Sequence, residues 1–314
     1  MLALLFSPQG SQAVGMGREL AERSAAARAV FDEADATLGW SVSATCWNGP
    51  AETLDDTRQT QPALLTTSVA AVRALEERGA PAPTLLAGHS VGEYAALVVA
   101  GVLLLPAALR LVSQRAALMA GADANGGMAA VIGLDRDVVQ SIVDGIARPT
   151  ELVVANDNAP GQVVISGRAK SLAAAEEPMR AAGARRVLRL PVSGAFHSPL
   201  MAGVAEELAD AFEDEEWHDA RVPVMSNVTA EPLTDAGRIR VLLAEQVRSP
   251  VEWVACVRRM VGDGVDTMIE CGAGAALVGM VRRIAPEVRT ATLADATTLE
   301  GTLELLAASA QVGV

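Results

Sequence analysis

Lysine is nearly missing from this chain. Lys170 is the only one in 314 residues, which leaves Schiff-base and P-loop phosphate chemistry without the cation they use. The three cysteines, Cys46, Cys256 and Cys271, stand far apart and in no metal-ligand spacing, so they read as reduced, packed thiols of a cytoplasmic protein. No apolar run approaches the roughly 20 residues that span a bilayer. The start, Met1-Leu-Ala-Leu-Leu-Phe-Ser7, lacks the basic segment of a secretion signal and reads as a first strand. Positive charge is also short: 25 Lys and Arg against 38 Asp and Glu give a net charge of -13, which disfavours nucleic acid as a partner. What is present is apolar bulk. At 51% hydrophobic residues the chain can bury a large core, in one major domain with a smaller one.

One stretch carries chemistry on its face. Gly88-His89-Ser90-Val91-Gly92 has the GxSxG spacing, preceded by the strand-like Pro83-Thr-Leu-Leu-Ala87 and followed by the helix-like Glu93–Ala100. A strand turning sharply into a helix lifts a serine hydroxyl clear of the backbone and aims free helix N–H groups at whatever the serine attacks. The glycines permit the turn, because a Cβ there would crowd the neighbouring strand or helix. A serine nucleophile needs a base, and there are three histidines. His89 adjoins the serine, where its side chain is expected to point away. His218 lies in the acidic stretch Glu213–Asp219, which reads as a solvated surface. His197, in the loop-like Pro191–Met201 segment, remains as the base by elimination.

These residues, with others along the chain, carry a family resemblance. Gln9-Gly-Ser-Gln12, Thr60-Gln-Pro-Ala63, Gly88–Tyr94, Gln114-Arg115, Gly127–Ala130, Asn158–Gly167, Ala195-Phe-His-Ser-Pro199 and Ser249–Trp253 match, in order, the malonyl-CoA:acyl carrier protein transacylases and the similar acyltransferases of polyketide synthases. The resemblance implies ping-pong acyl transfer through an ester on Ser90, with His197 as base and the histidine oriented by the main-chain carbonyl of Gln246. It implies an oxyanion hole from the backbone N–H groups of Gln9 and Val91. It also implies that Arg115, which on local pattern alone reads as a surface arginine, clamps the free carboxylate of a malonyl group. Gln61 and Met119 match other pocket positions, although Met119 fits an ordinary core site equally well. No cofactor is implied: a CoA thioester and a phosphopantetheinyl carrier are the substrates.

The resemblance breaks at one place. The family reads Phe-Pro-Gly-Gln-Gly-Ser-Gln near its start, and this chain reads Phe6-Ser-Pro-Gln-Gly-Ser-Gln12. Pro8 therefore fixes φ near about -65° and removes an N–H beside the oxyanion-hole residue. If the family's glycine adopts positive φ, Pro8 must redraw this loop.

Strands and helices alternate. Leu2–Ser7, the run before Ser90, Val222–Ser226 and Thr267–Glu270 read as buried parallel strands, with helices around 16–35, 62–78, 106–120, 198–213 and 251–262. Between them the order strand (128–133), helix (136–146), strands (152–155 and 162–166), helix (171–182), strand (186–190) is the βαββαβ pattern. The expected fold is thus α/β: an α/β-hydrolase-like core with a parallel sheet, residues 1–124 and 196–314, plus an inserted ferredoxin-like subdomain, residues 125–195. The cleft between them would hold Ser90 and His197.

The expected partners are malonyl-CoA and an acyl carrier protein, with no membrane and a monomer as the default. Carriers are usually acidic, so a chain of net charge -13 needs a local basic patch to dock one. Arg185, Arg186, Arg189, Arg282 and Arg283 are candidates; scattered solvated arginines explain them as readily. Alternatives to malonyl transfer for fatty acid synthesis are a discrete polyketide-pathway acyltransferase using another acyl unit and a carrier thioester hydrolase.

Overall fold

A computed structural model describes residues 1–122, 125–192 and 194–311. Among the described residues ten strands follow in chain order: β1 (Leu2–Phe6), β2 (Leu85–Gly88), β3 (Gly126–Ile132), β4 (Leu152–Ala159), β5 (Gln162–Arg168), β6 (Arg186–Arg189), β7 (Val224–Met225), β8 (Pro232–Leu233), β9 (Thr267–Cys271) and β10 (Arg289–Leu293). They build two sheets. The larger has the order β10-β9-β1-β2-β7-β8 and the smaller β4-β5-β3-β6.

β1 lies in the middle of the larger sheet, and all five of its residues are buried. Leu2, Leu4 and Phe6 pack into the apolar layer on one face, while Ala3 and Leu5 pack with Trp253, Val257 and Leu277 on the other. A parallel strand covered on both faces reads as an unbroken apolar run rather than an alternating one, which is why Leu-Ala-Leu-Leu-Phe was legible as a strand. The pairings of β1 with β2 and β9, of β9 with β10 and of β2 with β7 are parallel. The expected parallel sheet is thus present, with one antiparallel strand added at its edge: β8 runs antiparallel to β7.

The smaller sheet is antiparallel throughout. Its strand order, with helices Arg136–Ile146 and Ala169–Ala181 in the crossovers, is the βαββαβ arrangement, and it has its own core around Val131, Val139, Ile165 and Leu172. The first expected boundary, at residue 124, lies outside the described residues. The two units are stitched together: Asp157 donates its N–H to the Val251 carbonyl at 3.0 Å and Val251 donates to Ala155 at 2.8 Å. Arg136 pairs with Glu252 at 2.7 Å.

Several element bounds differ from the sequence reading for identifiable reasons. The helix expected over 16–35 is two, Arg18–Arg23 and Ala25–Leu38, because Ser24 adopts an extended backbone and caps the second through the Ala27 N–H. The helix expected from 62 begins at Thr57, where Asp56 caps it. The Val222–Ser226 strand shrinks to β7, two residues. The sequence reading missed the helices Ala236–Gln246, Ala276–Ile284 and Ala296–Gln311, as well as β10. Among the described residues no helix is long and apolar enough to cross a membrane.

Candidate active site

Ser90 stands between β2 and the helix Gly92–Ala100 with φ of 54°, a conformation that costs a non-glycine residue of order 1 kcal/mol or more and persists only where its surroundings enforce it. The surroundings here are close. A Cβ on Gly88 would lie 1.9 Å from the Gly92 carbonyl carbon, and one on Gly92 would lie 2.2 Å from the Phe6 carbonyl oxygen. Both glycines are therefore required by backbone approach. Asn227 locks the turn from outside, accepting the Ser90 N–H at 2.7 Å and donating to the Gly88 carbonyl at 2.6 Å.

His197 reaches the serine from just past the end of the inserted unit. Its Nε2 is 2.8 Å from Ser90 Oγ, and its Nδ1 lies 2.9 Å from the Gln246 carbonyl and 3.2 Å from that of Ser249. A carbonyl can only accept, so Nδ1 carries the proton and Nε2 is left as the acceptor for the serine hydroxyl. Burial pushes the imidazole pKa down to about 3, the Arg115 charge adding to the shift and the Gln246 carbonyl opposing it. The ring is thus neutral and ready to take a proton. The other histidines are placed as elimination required. His89 turns away to Asn158 Oδ1 at 2.8 Å, and His218 is exposed beside Glu216.

Arg115, at the surface by local pattern, is among the most deeply buried side chains, 1% exposed. From the helix Leu105–Ala120 it donates through Nη1 to Gln61 Oε1 at 2.6 Å, and through Nη2 to Ser90 Oγ and Gln246 Oε1, each at 3.1 Å. Its Nε–H finds no partner, and among the described residues no carboxylate pairs with it. Glu93 is near enough to act on it through charge, and a guanidinium held dry beside a nucleophile, with no carboxylate bonded to it among these residues, has the capacity to bind an anion. Met119 lines the same space and accepts from Gln61 Nε2 at 3.6 Å.

Two unbonded backbone donors belong to residues of the cavity wall. Neither the Gln9 N–H nor the Val91 N–H has an acceptor among the described residues, and both residues line the space next to Ser90. Gln9 sits in a turn closed by Ser11 N–H to the Pro8 carbonyl at 3.2 Å, with Gly10 at φ 99°. Pro8 therefore does not abolish the turn; the positive φ falls on Gly10, which as glycine bears it without strain. The cavity, about 230 Å³, lies at the junction of the units, with Met128, Asn158, Leu190 and Val192 from the smaller one opposite Gln9, Ser90 and Arg115.

Sequence reasoning missed Glu93 and Asn227. Glu93, 4% exposed, accepts from Gln246 Nε2 at 2.7 Å and from the Asn227 N–H at 3.3 Å, and burial lifts its pKa to about 7. Gln246 thus touches everything at once: its amide spans Glu93, the Ser90 carbonyl and Arg115, while its own carbonyl holds His197. A lone acid at the head of the apolar run Tyr94–Ala100 was the signal for Glu93. Asn227 offered none, since its contacts come from 137 residues away.

A family model described as acyl transferase domain matches residues 3–306. The chain is 42% identical over 308 residues to a malonyl CoA-acyl carrier protein transacylase of Bacillus subtilis (strain 168), covering 97% of each. Among solved structures it resembles an acyl carrier protein S-malonyltransferase of Vibrio cholerae, with a TM-score of 0.93 at 40% identity, covering 96% of this chain and 99% of that one. It also resembles a malonyl-transacylase solved in complex with a type II polyketide synthase acyl-carrier protein, with a TM-score of 0.93 at 39% identity and the same coverage.

Proposed function

This chain belongs to the acyl transferase domain family, and from that membership together with the site geometry we propose that it transfers malonyl from CoA to the phosphopantetheine thiol of an acyl carrier protein. The observation that carries the proposal is a shared hydroxyl: Ser90 Oγ lies 2.8 Å from His197 Nε2 and 3.1 Å from Arg115 Nη2. One contact makes a nucleophile, and the other sets a buried cation directly against it, within reach of the carboxylate of a malonyl ester. An acetyl or longer alkyl chain would leave that cation unpaired, whereas the free carboxylate of a malonyl ester pairs it.

In the first half-reaction the Ser90 proton passes to His197 Nε2 as Oγ attacks the thioester carbon. The oxyanion that forms is held by the Gln9 and Val91 N–H groups; one such donor is worth about 3 kcal/mol. The C–S bond then breaks, the CoA sulfur takes the proton from Nε2, and malonyl remains as an ester on Ser90. In the second half the carrier thiol gives its proton to Nε2 and attacks the ester, and Ser90 Oγ regains the proton as it leaves. The imidazolium at each midpoint keeps its Nδ1–H on the carbonyls of Gln246 and Ser249, a neutral orienter that fixes the tautomer. CoA and the pantetheine arm are substrates, and no cofactor has a role. All the named groups lie on one chain, so a monomer suffices.

Intact-mass measurement after brief incubation with malonyl-CoA, methylmalonyl-CoA and acetyl-CoA tests this. A malonyl adduct that is absent in Ser90→Ala and is discharged by a carrier protein is the expected result. Release of CoA with no transferable adduct would mean a hydrolase instead.

A further inference from the structure

Where the family motif has Pro-Gly, this chain has Ser7-Pro8. A proline at position 7 would fix φ in its own ring; serine does not. Pro8 biases Ser7 toward extended backbone, and the Ser7 hydroxyl makes the remaining connection. It is wholly buried and donates to Glu270 Oε1 at 2.9 Å, across 263 residues of sequence. Glu270, at the end of β9 and itself buried, accepts the Val278 N–H on its second oxygen at 2.9 Å. Its carboxylate thus lies over the N-terminus of the helix Ala276–Ile284, whose Ala275 cap position contributes no side-chain bond.

We propose that Ser7 and Glu270 are a positioning pair, in which one buried carboxylate fastens the Gln9 oxyanion loop and the first turn of the Ala276–Ile284 helix to each other. Both are walls of the same cavity: Pro8, Gln9 and Gly10 on one side, Ala276 and Met280 on the other. Beyond Ser7 the loop is held by Gln9 Nε2 on Thr57 Oγ1 at 2.9 Å and by the Ser11–Pro8 turn. Gln9 Oε1 also accepts from Gln61 Nε2 at 3.5 Å, and further along the Gly10 N–H donates to Gln12 Oε1 at 2.7 Å, but of these contacts only the Ser7 hydroxyl ties the loop to the sheet. The hydroxyl therefore sets the direction in which the Gln9 N–H points, a service the family's proline ring performs covalently. The inference rests on the reading of Gln9 as an oxyanion donor.

Ser7→Ala tests it. Loss of a whole oxyanion donor costs about 10²–10³ in kcat, and a loop that keeps its other anchors should lose less, about tenfold. The loss should appear in both half-reactions, since the same hole serves each, with the KM for malonyl-CoA and the preference for malonyl over acetyl unchanged. Ser7→Thr keeps the hydroxyl and should recover most of the rate. Glu270→Gln, which turns an amide NH₂ toward one of the donors, should reproduce the split. A Ser7→Ala kcat within twofold of wild type, or a loss expressed in KM instead, overturns the pair. Intact-mass detection of malonyl–Ser90 in the same preparations keeps the readings apart. Wild type that forms no ester overturns the transferase and the pair with it, while wild type that forms it and Ser7→Ala that forms it equally fast overturns the pair alone.

Discussion

Burial sets the protonation of three side chains around Ser90, and it pushes them in opposite directions. His197 and His89 are held down to about 3 and about 4, in both cases chiefly by desolvation, while Glu93 is lifted to about 7 for the same reason. The signs follow from proton uptake. Between about pH 4.5 and 6.5 the unfolded chain protonates each histidine and the folded chain does not, so each withdraws stability as pH falls. Glu93 does the reverse, being protonated when folded and ionised when unfolded, and so adds stability as pH falls through that window. Two groups against one leave a net loss toward acid. Glu93→Gln removes the opposing group, so its melting temperature should fall more steeply than that of wild type between pH 6.5 and 4.5, by up to one proton's slope, about 1.4 kcal/mol per pH unit. Parallel curves in a melting series would show that Glu93 titrates elsewhere. Arg115 gives a prediction at the same scale. Its buried guanidinium is the proposed partner of the free malonyl carboxylate, and a charge-assisted hydrogen bond contributes about 3 kcal/mol at the upper end. Arg115→Ala should therefore lower kcat/KM for malonyl-CoA about a hundredfold more than for acetyl-CoA, which loses only the Nη2 contact to Ser90 Oγ. Parallel competition assays of the two thioesters read that ratio directly.

The elements that carry these residues are fixed by where backbone meets backbone. The helix Gly92–Ala100 leans on β1 so closely that a Cβ at Gly92 would overlap the Phe6 carbonyl, which also accepts the His89 N–H at 3.1 Å. Gly92→Ala should cost about 3 kcal/mol and abolish ester formation, because helix and strand must part. Gly145 is the contrast. It lies exposed near the end of the helix Arg136–Ile146 with nothing within 4 Å of its missing Cβ, so Gly145→Ala should stabilise by up to about 1 kcal/mol. Thermal melts of the two variants should move in opposite directions. The same division explains what the sequence disclosed. β1, β2 and the βαββαβ order were legible because their periodicity is local, and Ser90 was legible because its turn is. The helix Ala236–Gln246, which presents Gln246 to His197, was missed because its burial is confined to Ile239, Leu243, Ala244 and Gln246, too sparse a stripe to stand out. Arg115 became visible only through the family resemblance, since nothing in Ala107–Val112 distinguishes a helix that aims an arginine inward. The Glu93, Asn227 and Ser7–Glu270 contacts join residues 134 to 263 apart, and no pattern within a segment encodes them.

At the scale of the whole molecule the open question is how a chain of net charge -13 receives an acidic carrier. Repulsion at long range is weak, because charges farther apart than about 8 Å are largely screened at physiological salt; docking is decided by the surface around the cavity mouth. Of the five arginines proposed for it, three have partners. Arg189 reaches Glu176 at 3.4 Å, Arg282 the Thr290 hydroxyl at 3.0 Å, and Arg283 spans the units to Gln162 Oε1 at 2.8 Å. Arg185 and Arg186 are exposed and form no ion pair among the described residues. Arg186 opens β6 and Arg185 directly precedes it, and the chain that leaves β6 runs through Leu190 and Val192 in the cavity wall to His197. A carrier seated on Arg185 and Arg186 would thus stand where its pantetheine arm follows the chain inward to Ser90. Replacing both with alanine should raise the carrier KM about tenfold at low salt, with the gap to wild type closing as salt rises, since the contribution is electrostatic. The burst of CoA released on Ser90 acylation precedes carrier docking, so its amplitude should not change. Steady-state assays over a salt series, with the burst measured alongside, separate the two steps; an unchanged carrier KM would remove this patch and leave the carrier to bind through another face.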